Sequence, residues 1–203
     1  IERVQIGELL FEGEMTPILS DDIVEYHVTG VERWRWSLNT SFPFDADEFC
    51  QRNETIGEGL DWTHVNSLYW DIDNGEVYIN IRNLDCIVKI NKNLGEAIWS
   101  VGRYSGETTG LDLYDASESV RDALWFHASE IEMTGENHFL VYDGDYWNDS
   151  LQSADGGRVQ FVQFTVDELA GAAKEEWRYT STAISSLEGC IERLPNRNAV
   201  GLV

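Results

Sequence analysis

The sequence predicts an all-β fold, a β-propeller with four-stranded antiparallel blades. Three observations predict it. Short apolar-polar alternating runs are separated by tight-turn signals. The same pattern returns 63 residues later, as four-stranded repeats do. Only 3 prolines occur in 203 residues, so few strands are interrupted.

The elements follow in order. Ile23 to Gly30 and Glu32 to Trp36 read as the last two strands of a first unit. Ser67-Leu68-Tyr69-Trp70 then leads to the turn Asp73-Asn74-Gly75, the strand Glu76 to Ile81, the strand Cys86 to Ile90, a turn over Asn91 to Gly95, and Ala97 to Val101. That is an antiparallel meander. A second one runs through Glu130 to Met133, Phe139 to Tyr142, Arg158 to Val166 and Glu176 to Tyr179. A third begins at Cys190 to Leu194, with Pro195 to Asn198 as its turn. Asp167 to Lys174 (DELAGAAK) is the exception and reads as a single helical turn. Trp34, Trp36, Trp99 and Trp177 fall on outer strands, where they are expected to fill the space between blades.

The expected organisation is a single propeller region over residues 1–203, with 67–101 and 130–179 as complete blades and partial ones on either side. So few units do not close a ring, which takes four to eight blades. The chain stops at Val203, inside the second strand of a new unit, so an incomplete arc of a longer protein is expected. The alternative is that the first and last segments complete one blade together.

Composition narrows the function. There are 37 acidic against 14 basic residues, a net charge of −23. Phosphate binding needs clustered Lys and Arg, so nucleic acid is a poor partner, and anionic membranes repel such a chain. No run of 18 apolar residues offers a membrane span. With 42% hydrophobic residues the chain has ample material for a core. Only Lys89, Lys92 and Lys174 are lysines; the other cations are arginines. An acidic, Lys-poor surface suits a salty or extracellular setting, although self-repulsion for solubility explains it equally well. Cys50, Cys86 and Cys190 make neither a disulfide framework nor a metal cluster, and Cys86, in the run Cys86-Ile87-Val88, is expected to be a buried thiol. Asp143-Gly144-Asp145 with Asn148-Asp149 is only loosely like a calcium loop, lacking the glycine and terminal glutamate of an EF-hand. No metal or cofactor is therefore expected. The sequons Asn39-Thr40-Ser41, Asn53-Glu54-Thr55 and Asn148-Asp149-Ser150 are too common a motif to fix a compartment.

Two histidines stand at matching places. His64 and His127 are 63 residues apart, each just before the first strand of its meander. The hairpin turn at Asp73 to Gly75 folds the two strands together. His64 lies about ten residues before its centre and Arg82 about eight after, so both belong at one edge of the sheet. The same arithmetic around Gly135 brings Asp143 near His127.

The segments Asp61-Trp62-Thr63-His64-Val65-Asn66-Ser67, Asp73-Asn74-Gly75, Ile81-Arg82-Asn83, Ile87 to Asn91 and Gly95 to Gly102 closely resemble the aryl sulfotransferase family, the 3′-phosphoadenylyl-sulfate-independent enzymes. Weaker resemblance continues through Phe126-His127, Asn137 to Asp143, Arg158 to Phe161, Trp177 to Tyr179 and Arg193 to Asn198. The resemblance implies a six-bladed propeller that moves a sulfuryl group from one phenol to another through a sulfated histidine. It assigns His127 to the nucleophile and places His64 and Arg82 in the same pocket. It departs from the family at Trp125 to Ser129, less His-rich than in bacterial members, and it offers no match for a further pocket histidine of an earlier blade. His27, in an outer-strand context, is not that histidine, and His138 reads as structural.

The chemistry is consistent with these residues. A sulfate ester is anionic and its leaving phenolate develops further charge. Arg82 offers a planar fork of donors to the sulfuryl oxygens. One imidazole acts as nucleophile, and another donates a proton to the leaving oxygen and later accepts one. Trp62, Tyr69, Trp125 and Phe126 are candidates for stacking on aryl groups. The expected partners are a small aryl sulfate donor and a phenolic acceptor, in an extracellular or periplasmic setting. The competing reading is a non-catalytic extracellular propeller serving as a binding or structural module.

Overall fold

A computed structural model describes residues 1–11, 13–46, 55–56, 59–104, 109–144, 158–184 and 189–202. Cys50, Asn53, Asp145 and the acidic run to Asp149 lie outside the described residues.

The described chain is almost all strand. A first sheet contains β1 (Glu2–Phe11), β2 (Glu14–Tyr26), β3 (Glu32–Ser37), β4 (Thr55–Ile56) and β5 (Gly59–Asp61). β1 and β2 form a long hairpin, β3 pairs antiparallel with the far half of β2, and β5 joins β2 in parallel at Ile18 and Leu19. A single helical turn, α1 (Leu38–Ser41), follows β3. The second sheet is an antiparallel meander of β6 (Val65–Asp71), β7 (Glu76–Ile81), β8 (Cys86–Asn91) and β9 (Glu96–Gly102). A 3-10 turn, Arg82–Leu84, links β7 to β8. The third sheet is a second meander, β11 (Glu130–Gly135), β12 (His138–Asp143), β13 (Arg158–Asp167) and β14 (Ala172–Ile184), with β10 (Asp112–Tyr114) parallel on the outer edge of β14. β15 (Cys190–Arg193) and β16 (Ala199–Leu202) form a two-stranded hairpin.

Three hairpin turns share one local code. Asp71, Asn91 and Asp167 each close a strand, and each is followed four residues later by a glycine with positive φ, Gly75, Gly95 and Gly171. Each Oδ1 accepts backbone N–H groups two and three residues on. The side chain thus mimics a turn carbonyl, and glycine supplies the left-handed residue that sends the chain back. This code corrects the expectation of a helical turn at Asp167 to Lys174: Asp167 ends β13, Gly171 reverses the chain, and Ala172 already opens β14.

Strand periodicity stacks the sheets in series. From β7, Val77, Ile79 and Ile81 face the first sheet, where they meet Ile18, Ile23, Trp36 and Trp62. Tyr78 on the opposite face joins Ile87, Trp99, Phe139, Val141 and Phe164 in the core shared with the third sheet. From β12, Leu140 and Tyr142 turn away toward Ile191 of β15. A sheet covered on both faces reads as a nearly unbroken apolar run, as Cys86-Ile87-Val88 does. Lys89 breaks that run inside the interface between the second and third sheets. Its Nζ lies 2.7 Å from both Glu76 and Glu168, and Trp99 Nε1 donates to the same Glu168 oxygen at 2.9 Å.

Three strands that open a meander or hairpin, β6, β11 and β15, stand side by side. Ile131 N–H donates to Ser67 Oγ at 3.0 Å, and Ile191 N–H donates to Glu130 Oε2 at 2.6 Å. Each strand therefore caps backbone donors of the next through a side chain near its start.

Cys86 is a buried free thiol, its pKa pushed up by burial, while Cys190 is exposed. Trp36 and Trp99 fill the cores between sheets, but Trp177 is 42% exposed. No helix among the described residues is long and apolar enough to cross a membrane.

Candidate active site

His64 and His127 occupy matching loops, each leading into the first strand of a meander. Both have positive φ, 51° and 50°. A non-glycine residue held there stores strain of about 1–3 kcal/mol, which persists only where the surroundings enforce it. Buried aspartates provide that enforcement.

At His64 the constraint is on both flanks and on the ring. Asp21 Oδ2 accepts Thr63 Oγ1–H and Val65 N–H, both at 2.8 Å. The ring Nδ1–H donates to Asp61 Oδ2 at 2.5 Å. Arg3 lies 3.4 Å from the other oxygens of both aspartates. On the neighbouring strand, Arg82 N–H donates to the His64 carbonyl and Asn83 N–H to that of Thr63, both at 3.1 Å. The backbones of His64 and Arg82 therefore lie at one sheet edge, as the hairpin arithmetic predicts.

At His127 the backbone N–H donates to Asp85 Oδ1 at 2.5 Å. Asn66 and Asn80 both donate to the Ala128 carbonyl, and Phe126 N–H donates to Asp143 Oδ2 at 3.2 Å. The expected approach of Asp143 to the His127 loop is thus present. Asp85 is 3% exposed and sits at φ 49° directly after the 3-10 turn. Burial pushes its carboxyl above the ordinary carboxylate range. His127, its N–H, Arg103 and Arg82 oppose that shift without reversing it.

One short segment therefore touches both histidine loops: Arg82 at the start of the turn meets His64, and Asp85 at its end meets His127. Asn66 meets Ala128 and Ser67 meets Ile131, so β6 and β11 run in the same direction from one edge. The guanidinium of Arg82 bonds Asn83 Oδ1 at 3.1 Å, and among the described residues no carboxylate lies within ion-pair distance of it. Its remaining donors are available to an anion. The His64 side chain is 32% exposed, whereas His127 is 6% exposed.

Several expectations are corrected. Trp62 and Trp125 are fully buried and cannot stack on a ligand: Trp62 is locked in the core with Nε1 on the Phe42 carbonyl, and Trp125 stacks on Phe164. Tyr69 and Phe126 keep partial exposure. His27 and His138 are surface residues bonded to Thr29 and to the Glu136 carbonyl. Among the described residues no group of three or more His, Cys, Asp or Glu is placed to hold a metal ion.

Sequence reasoning missed Asp21 and Asp85, and saw Asp61 only as part of a motif. A signal was present. Asp21 and Asp85 are 64 residues apart, each just before an apolar strand run, and each bonds a residue 42 positions on in the next histidine loop.

No curated protein matches the chain. The family model described as Arylsulfotransferase (ASST) matches residues 8–200. A match over nearly the whole chain, with the paired histidine loops inside it, means that the chain belongs to the arylsulfotransferase family.

Proposed function

We propose that the protein moves a sulfuryl group from an aryl sulfate ester to a phenol in two steps, through a sulfated His127. The observation that carries this reading is the 3-10 turn whose Arg82 touches the His64 loop and whose flanking Asp85 touches the His127 loop. In the first step a nitrogen of His127 attacks sulfur. The bond from sulfur to the aryl oxygen breaks, and the departing oxygen takes a proton from His64. In the second step the phenolic acceptor attacks sulfur, the nitrogen–sulfur bond breaks, and the phenol proton passes to His64. Arg82 holds the sulfuryl oxygens, where a fixed cation is needed because the field of a chain of net charge −23 opposes an anionic substrate.

The scaffold in this reading is a six-bladed propeller. The sheets over 67–101 and 130–179 are complete blades of an arc, and β6, β11 and β15 line its central channel. Serial stacking of the sheets and the side-by-side placement of those three strands support it. The acidic, Lys-poor composition favours an extracellular or periplasmic setting.

A chromogenic aryl sulfate with a phenol acceptor tests the assignment. Arg82→Ala is expected to weaken transition-state stabilisation by about 3–4 kcal/mol, the scale of one preorganised donor. Wild-type kcat/KM in that variant would remove Arg82 from the site.

A further inference from the structure

We propose that Arg3, Asp21 and Asp61 form a positioning clamp that sets the tautomer of His64 and presents its Nε2 as the proton-transferring atom. The inference rests on the reading of His64 as the proton donor and acceptor, and adds the residues that make it one.

Asp61 is 1% exposed, and its Oδ2 accepts the His64 Nδ1 proton at 2.5 Å. A buried carboxylate facing Nδ1 favours the Nδ1–H tautomer, which leaves the Nε2 lone pair outward and raises its basicity. Asp61 Oδ1 has Arg3 Nη2 at 3.4 Å, so the carboxylate is not left as an unpaired buried charge. Through Nε, Arg3 also meets Asp21 Oδ1 at 3.4 Å. Asp21 in turn grips Thr63 and Val65, the two neighbours of His64. Ring and flanks are therefore tied to two carboxylates bridged by one guanidinium, and the strained φ of 51° is held from three sides. The hairpin of β1 and β2 brings in two of the three groups and so has a role beyond covering the first core. A separate peptide contact strengthens it: Asn83 Nδ2 donates to the Asp61 carbonyl at 2.8 Å, so the residue after Arg82 fixes the Asp61 backbone.

The test is 15N NMR of the intact protein labelled at histidine, alongside turnover of an aryl sulfate. The expected spectrum of the wild type shows His64 as the Nδ1–H tautomer. Asp61→Asn offers an amide that donates to Nδ1 where the carboxylate accepted, and should convert His64 to Nε2–H. Its kcat should fall about 10–100-fold with KM little changed. Arg3→Lys, which keeps the charge, should retain more activity than Arg3→Ala. An Nε2–H tautomer in the wild type, or wild-type turnover by Asp61→Asn while His64→Ala is inactive, would overturn the clamp. If His64→Ala itself turns over normally, the catalytic reading of His64 fails, and the tautomer spectra still decide whether the clamp exists.

Discussion

At the residue scale, the account turns on carboxylates in places where carboxylates are costly. Asp85 is buried, carries a raised pKa, and still accepts the His127 N–H at 2.5 Å. Asp85→Ala leaves that N–H without a partner and should lower stability by about 1–3 kcal/mol. Asp85→Asn keeps an acceptor and removes the charge, so it should be better tolerated. The pH dependence has a definite sign. A folded pKa above the unfolded value means that the folded state holds the proton more tightly between the two. Stability from this residue is thus full below the unfolded value, about 3.9, and declines as pH rises from there through the folded one. Urea melts across pH 4–8 should show that decline in the wild type and its loss in Asp85→Asn; an unchanged slope in the variant would assign it to another group. The catalytic candidates were legible because His64, His127 and Arg82 fall at recurring places in a motif. Their aspartate partners were not, because an acidic residue before a strand looks like surface until the next repeat is folded against it.

At the element scale, the antiparallel meanders were readable because their turns carry their own chemistry. Asp71 to Gly75 and Asn91 to Gly95 place an acceptor side chain and a left-handed glycine at a fixed spacing. Asp167 to Gly171 has the same code, but its Glu-Leu-Ala interior masked it as helical. Strands β4, β5 and β10 are two or three residues long, too short to show alternation, and β5 and β10 pair in parallel with partners distant in sequence. Residues 1–22 went unread for a related reason: β1 and the first half of β2 form a hairpin with no counterpart in the later repeats. Gly102, which ends β9, shows how tightly the site is tied to its sheet. It has φ +127°, and an added Cβ would lie 2.0 Å from the Asp85 carbonyl oxygen. Gly102→Ala must move the backbone of Asp85 and, through it, His127. A loss of at least about 1–3 kcal/mol is expected, together with reduced sulfuryl transfer. Calorimetry and a turnover assay check the pair, and wild-type values in both would show that Asp85 does not depend on this close approach.

At the scale of the whole molecule, sheets covered on both faces explain why a chain of net charge −23 still carries long apolar strands. Aromatic residues read as ligand-stacking candidates, Trp62 and Trp125, became core for the same reason: they lie where one sheet meets the next. The side-by-side strands β6, β11 and β15 put the two histidine loops at adjacent strand starts, which makes transfer between donor and acceptor at one shared place the central claim. Its most direct test is to mix the intact protein with an aryl sulfate in the absence of acceptor, quench in alkali, and map the modified peptide by mass spectrometry. The account predicts one SO3 adduct on His127, discharged when a phenol is added and absent from His127→Ala. Turnover without an adduct, or an adduct on another residue that is discharged at the catalytic rate, would contradict it.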